Sequence, residues 1–217
     1  MRTQFESKNQ SGAGILWSLV VLISILSWPV QGSAEMERTP TSVARSTMNE
    51  LLYVLIELRD PSRATQRTWE FEQAVRRHFR YEAMAKRSLG DAWDRIGRGD
   101  RQEYVRLFIH LLRDELAERL RGYGPSEVKY VSEQQEGGRA EVSLGLTSEG
   151  LETSIEFSIS RISGDWAIDD LRIDGASLVE RYQTQFARVL ENATFADLID
   201  RMKQRTLLVE AFEKAGS

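Results

Sequence analysis

Cysteine is missing from this 217-residue sequence. That excludes disulfides, thiol nucleophiles, thiolate metal sites and lipid attachment through an N-terminal Cys. Histidine is scarce, with only His78 and His110, and no pair at i,i+4 exists to hold zinc on a helix. Basic residues are in no excess: 29 Lys and Arg face 33 Asp and Glu, a net charge of −4. A mildly acidic chain with interspersed signs is not the composition of a nucleic-acid binder. There is no Gly-x-Ser-x-Gly elbow. The Gly97-Arg-Gly-Asp100 stretch lacks the glycine fingerprint and following Lys of a phosphate loop. No cofactor or metal is expected.

The uncharged, mostly apolar run Ile15–Trp28 has 14 residues. It falls short of the roughly 20 residues that span a bilayer. Arg2 and Lys8 precede it, and Pro29-Val-Gln-Gly-Ser-Ala34 follows with a breaker and small residues. This pattern predicts an export signal, residues 1–34, cleaved near Ala34. Residues 35–217 then form one domain, without disulfides and resting on its core alone. Their charge is 27 basic against 32 acidic residues, a net of −5.

The first part of that domain has helical periodicity. Thr39 to Asp60 is helical in length, with Pro40 near its start and Pro61 after its end. Ser62 is placed to cap a second helix carrying Trp69, Phe71, Val75 and Phe79. A short helix at Tyr81–Leu89 stops at Gly90. The longest helix is predicted over Arg101–Tyr123, with Asp100 and Glu103 at capping-box spacing. Tyr104, Phe108, Leu111, Leu112, Leu116 and Leu120 form its apolar stripe, and charged residues fill the other face.

After Pro125 the period changes to two. Val128 and Tyr130 mark one strand. Ala140, Val142, Leu144 and Leu146 mark a second. Leu151, Ile155, Phe157 and Ile159 mark a third. The fourth carries Trp166 and Ile168 on one parity and Leu171 and Ile173 on the other. That switch at Asp169-Asp170 predicts a bulge or bend. Asp174-Gly175 then reads as a turn, and Ser177 as the N-cap of an amphipathic helix to Glu191. A last helix follows at Phe195–Arg205. The expected fold is α+β: a four-stranded antiparallel curved sheet covered by N- and C-terminal helices, with apolar space between.

Asp169, Asp170 and Asp174 are the best acid candidates, since paired carboxylates beside a bulge can do acid–base work. The plainer role is structural, one bonding a free backbone N–H and another facing water. Arg76, Arg77, Arg80, Arg87, Arg95, Arg98, Arg101 and Arg106 form either a solvated face or a contact surface for an acidic partner or anionic headgroup. Periodicity alone does not separate a packed core from a lined cavity.

Certain residues resemble a known family. They are Tyr81–Gly90 (Tyr-Glu-Ala-Met-Ala-Lys-Arg-Ser-Leu-Gly) with Trp93, then Tyr104-Val-Arg-Leu-Phe108 and Arg121-Gly-Tyr123. The longest stretch runs from Trp166 through Asp174-Gly175-Ala-Ser177-Leu-Val179 to Tyr182 and Gln185-Phe186. Phe195, Leu198, Ile199 and Met202 continue it. Their order and spacing, over about Phe71 to Arg205, resemble the MlaC, or toluene-tolerance, family of periplasmic phospholipid-binding proteins. Hopanoid-associated relatives share the pattern. The sequence departs at Asn192-Ala193-Thr194, where members often have Gly, and at Ile96-Gly-Arg-Gly, where they commonly have Pro.

The resemblance implies an auxiliary component of an ABC transport system, and no enzyme. Acyl chains would enter a cavity between sheet and helices, leaving the headgroup outside. Expected partners are an inner-membrane ABC transporter complex with its substrate-binding membrane component, and an outer-membrane lipoprotein complex. Pattern and resemblance together place Phe108, Leu112, Leu116, Val142, Leu144, Ile155, Phe157, Ile159, Val179, Tyr182 and Phe186 on the cavity walls. The alternatives are a hopanoid-related lipid carrier, an enzyme on a cone-shaped α+β scaffold with Asp169 or Asp170 as acid, and an Arg-rich interaction module.

Overall fold

The computed structural model describes residues 38–148 and 150–215. The expected export signal and its cleavage point lie outside the described residues. Four helices come first: α1 (Pro40–Glu57), α2 (Ala64–His78), α3 (Tyr81–Leu89) and α4 (Arg98–Leu120). Strands β1 (Val128–Glu136), β2 (Arg139–Ser148), β3 (Leu151–Ile162), β4 (Asp165–Ile173) and β5 (Ala176–Ser177) follow. Helices α5 (Leu178–Leu190) and α6 (Phe195–Ala215) close the chain. The sheet is antiparallel throughout, in the order β1-β2-β3-β4-β5. Four strands were expected and five form. The fifth is only two residues long, pairing Ala176 with Ile173 and Ser177 with Arg172. Such a stub leaves no period in a sequence.

The turn read at Asp174-Gly175 joins β4 to β5. At Asp174-Gly175 both residues have positive φ, 50° and 79°. This geometry suits the twist of a tight hairpin and asks for glycine at the second place. The Asp174 carboxylate accepts the Ser154 N–H at 3.0 Å, and the Asp174 N–H donates to the Ser154 carbonyl at 2.9 Å. Asp174 therefore serves the turn.

The parity switch is a bulge. Ser158 pairs with Asp170 and Ile159 with Ile168, so Asp169 is the extra residue. With it inserted, Trp166, Ile168, Leu171 and Ile173 are all buried on the same face. Cross-strand rows fill that face: Val142, Phe157 and Leu171 form one, and Leu144, Ile155 and Ile173 the next. Helix α1 lies across β2 and β4, while α3 and α5 pack on β4.

The edges of the sheet differ. The outer side of β4 is covered by β5 at one end. At the other, Phe79 bridges to Ile168 and the Arg80 N–H donates to the Ile168 carbonyl at 2.8 Å. Among the described residues no strand pairs with the outer side of β1, whose register shifts between Tyr130 and Ser132. Val131, at that irregularity, is 71% exposed.

Helix α4 differs from its expectation at both ends, stopping at Leu120 rather than Tyr123, and along its charged face. It starts at Arg98 with Gly97 as N-cap, so Asp100 caps nothing and its box with Glu103 does not form. Extended Gly97 already ends the preceding turn, and its carbonyl accepts the Arg101 N–H at 3.0 Å. The charged face is also not solvated along its whole length. Arg113, Asp114 and Glu115 are buried along with the apolar stripe, because α2, α3 and α6 surround the helix. The second helix shifts slightly too. Asp60, not Ser62, caps the 3-10 turn Pro61–Arg63 that precedes α2.

Ser177 is the N-cap of α5, accepting the Glu180 N–H at 3.1 Å. Its hydroxyl proton goes to Asp170, whose other oxygen accepts the N–H groups of Leu171 at 2.8 Å and Val179 at 3.3 Å. One carboxylate thus ties the bulge to the helix start. Ser177→Ala is expected to lower unfolding free energy by about 1 kcal/mol, and Asp170→Ala by about 2 kcal/mol. Because they share a bond, the double variant should cost less than the sum of the two in urea titrations. Strict additivity would show that the two residues act separately.

Candidate functional site

The eleven expected wall residues are all buried, none more than 6% exposed, and all belong to one contiguous apolar core. They form two groups. Val142, Leu144, Ile155, Phe157 and Ile159 are neighbours in the cross-strand rows of the inner sheet face. Phe108 from α4 joins Tyr182 and Phe186 from α5 in an aromatic cluster. Tyr182 stacks on Phe186 with centroids 5.5 Å apart and meets Phe108 edge-on at 5.8 Å. Leu112, Leu116 and Val179 complete the helical side of the core.

Tyr104, absent from the expected walls, is the centre of that cluster. It contacts Trp93, Phe108, Phe186 and Phe195 at centroid distances of 6.0 to 6.4 Å. Its hydroxyl meets the Ser88 hydroxyl at 2.7 Å, and Ser88 gives its own proton to the Ala85 carbonyl at 2.8 Å. Tyr104 is therefore the donor. Burial pushes the Tyr104 hydroxyl well above its ordinary range, so it stays neutral. The periodic stripe already held Tyr104; only its hydroxyl set it apart from the apolar positions.

Above Tyr182 the helices close with charge. Glu115 is bound by Arg181 at 2.7 Å, by Arg119 at 3.4 Å and by Arg205 at 3.5 Å. These groups rim a cleft of about 280 Å³ that Tyr182 also lines. Burial pushes the Tyr182 hydroxyl up to about 12, and the nearby Glu115 charge adds to the shift. For Glu115 itself, burial opposes the charged form. Arg181 and then Arg119 outweigh that and hold the carboxyl below its usual value of 4.5.

The acid candidates have structural partners. Asp170 is occupied as described above, and Asp169 pairs with Arg80. Arg87 donates to the Asp169 backbone carbonyl. Arg80, Arg87 and Arg139 line a cleft of about 580 Å³ there, with Asp169 and Glu141 as balancing acids. The cleft takes residues of both sheet parities, Arg139, Glu141, Ser158 and Ser160 with Ala140 and Ile159, and Ala83 and Arg87 of α3 complete it. The expectation that one Asp faces water is corrected, since Arg80 takes that carboxylate. The histidines also meet carboxylates: His78 lies 2.6 Å from Glu50, and His110 lies 3.5 Å from Glu72. Among the described residues no cluster of His, Asp and Glu is arranged to hold a metal.

Comparison with known proteins gives this arrangement a context. A family model described as MlaC protein matches residues 45–204. This chain belongs to the MlaC family. The match begins earlier than the resemblance read from Phe71 onward and takes in most of α1. Among solved structures, a phospholipid-binding protein from Ralstonia solanacearum, determined in complex with a phospholipid, is similar. Its TM-score is 0.65 at 17% identity, over 77% of this chain and 97% of that chain. At that identity the likeness shows a shared fold. No curated protein matches. Among the described residues of this MlaC-family chain, no helix is long and apolar enough to cross a membrane.

The Glu115 cluster gives a pH-dependent expectation. A carboxyl with a depressed folded-state value stabilises fully above its unfolded value of 4.5 and loses that contribution as pH falls through the folded value. Glu115→Gln should cost about 2 kcal/mol at neutral pH. The gap between variant and wild type should narrow below the unfolded value. Urea midpoints measured at neutral pH and near pH 3 check this; a gap of constant size would place the stabilisation elsewhere.

Proposed function

We propose that this protein is a periplasmic phospholipid carrier. It takes acyl chains between the inner sheet face and helices α4 and α5, and shuttles lipid between outer-membrane and inner-membrane components of an ABC transport system. The observation that carries this reading is the MlaC-family match over residues 45–204. A phospholipid-bound protein of the same fold supports it. The eleven wall residues are the proposed acyl-chain contacts, and residues 1–34 the signal removed on export.

The physics fits a carrier. Each buried CH₂ is worth about 0.8 kcal/mol, so a diacyl lipid with some 30 of them resists entering water by on the order of 20 kcal/mol. A shuttle must offer an interior as apolar as a bilayer, and the joined sheet and helix faces supply such residues. Carriage itself needs no covalent step. Asp169 and Asp170 are engaged in holding the bend, which leaves the lipid reading ahead of the enzymatic one.

Organic extraction of freshly purified protein, followed by mass spectrometry, should return near-stoichiometric phospholipid. Hopanoid in its place would move the substrate to the related lipid class. A reproducibly empty protein that also takes no lipid from vesicles would sink the carrier reading. Phe157→Asp puts a charge against apolar walls and should prevent loading or folding. Asp169→Asn should retain its lipid; if it does not, the acid has a part in lipid handling.

A further inference from the structure

The fold divides the arginine-rich segment among separate tasks. Arg77 reaches back to Glu50 on α1. Arg80 and Arg87 hold the β4 bulge. Arg76, Arg98, Arg101 and Arg106 instead line a groove of about 470 Å³, built from α2, α3, α4 and the 3-10 turn Gly90–Arg95. Its apolar lining includes Trp93, Val105 and Ile109, and among the described lining residues Glu82 is the sole carboxylate. The lining holds four guanidinium groups and one acid, and Glu72, Asp94 and Glu103 stand beside it, so its positive charge rests on Arg98 and on the loosely paired Arg101 and Arg106.

The arginines are unequally committed. Arg76 is held by Glu72 at 2.8 Å. Arg101 donates to the Trp93 carbonyl at 3.0 Å and sits 5.3 Å from the Trp93 ring centroid, but its carboxylate, Asp94, is 3.9 Å away. Arg106 has Glu103 at 3.9 Å, and Lys203 already takes Glu103 at 2.7 Å. Exposed pairs this long contribute little. Arg98 has no ion pair among the described residues. Arg98 is also the first residue of α4, and Arg101 is in the same turn. The N-terminal end of a helix carries partial positive charge, so cations there work against the helix. Helix stability does not account for their placement.

We infer that this groove docks an acidic segment of a protein partner. An apolar side chain of that segment sits over Trp93, and its carboxylates pair with Arg98, Arg101 and Arg106. Guanidinium forks match carboxylates, and tryptophan and arginine dominate the energetics of protein interfaces. Trp93, Val105 and Ile109 among the arginines offer apolar contact that the side chains of a peptide can fill, whereas a headgroup layer presents phosphate alone. The choice of partner rests on the carrier reading: the segment belongs to one of the membrane complexes with which lipid is exchanged.

The test uses the mature protein and the variant Arg98→Glu/Arg106→Glu. Both positions are exposed, and acid at the first helical position suits the dipole. Binding is measured to the purified soluble domain of the inner-membrane substrate-binding component, to the purified outer-membrane complex, and to vesicles of phosphatidylglycerol. Extracted lipid is quantified in parallel. The reversal should weaken one protein partner more than about tenfold, wild-type affinity should fall with salt, and lipid content should be unchanged. Unaltered binding to both protein partners overturns the inference, as does wild-type protein that binds neither. A loss confined to vesicles also overturns it, because the occupant is then a membrane. Loaded protein with no arginine-dependent partner leaves the carrier reading standing. Empty protein whose partner binding still needs the arginines keeps the groove and removes the carrier.

Discussion

Trp166 and Ile168 face the helices, and so do Leu171 and Ile173, although the two pairs differ in parity along one strand. The single inserted residue at Asp169 reconciles them, and much of the structure depends on that insertion. A regular strand would turn one pair outward and lose part of the buried surface. The insertion also frees backbone donors and bends the strand, and neighbouring groups answer each effect. Arg80 and Arg87 hold Asp169 from the helical side. Asp170 spans the bend to Ser177 and so sets where α5 begins. From that start, Tyr182 and Phe186 meet Phe108 and Tyr104.

The same economy governs α4. The middle of this helix is surrounded on several sides and has no solvent face, yet Arg113, Asp114 and Glu115 lie there. Each is paired: Arg113 with Asp114 at 2.6 Å, and Glu115 with arginines from α4, α5 and α6. Buried pairs are poor sources of net stability but costly to break singly, so they favour one assembly of helices over near alternatives. Charge here fixes how the C-terminal helices lie against the central one.

Much of this was legible in the residues. Helical and strand periods located nearly every element, the parity switch located the bulge, and Ser177 announced its cap. Burial of the eleven wall residues followed from the same periods. Other features were beyond pattern. A two-residue strand is too short to have a period. Arg98, Gly99 and Asp100 enter α4 although the helix is expected from Arg101, because local propensity is a weak guide at a helix start. Periodicity places charged residues outward, and the partners that bury Glu115 lie far along the chain. Whether apolar walls enclose a core or a ligand is equally invisible to period, since both need the same side chains. The proposal that they take a ligand rests on the family match rather than on pattern.

The unequal edges of the sheet bear on how such a chain behaves when crowded. An unclosed sheet offers hydrogen-bonding groups along any bare outer strand, and a second copy of the chain is the partner best matched to them. On β4 the stub of β5 and the Phe79–Arg80 linker occupy that row. On β1 the ladder is interrupted at Val131, and Lys129, Glu133 and Glu136 crowd the strand with charge. One side is thus sealed and the other made irregular. The fold can keep a large apolar face turned inward without recruiting further strands at its margins, which lets an open sheet remain a finite object.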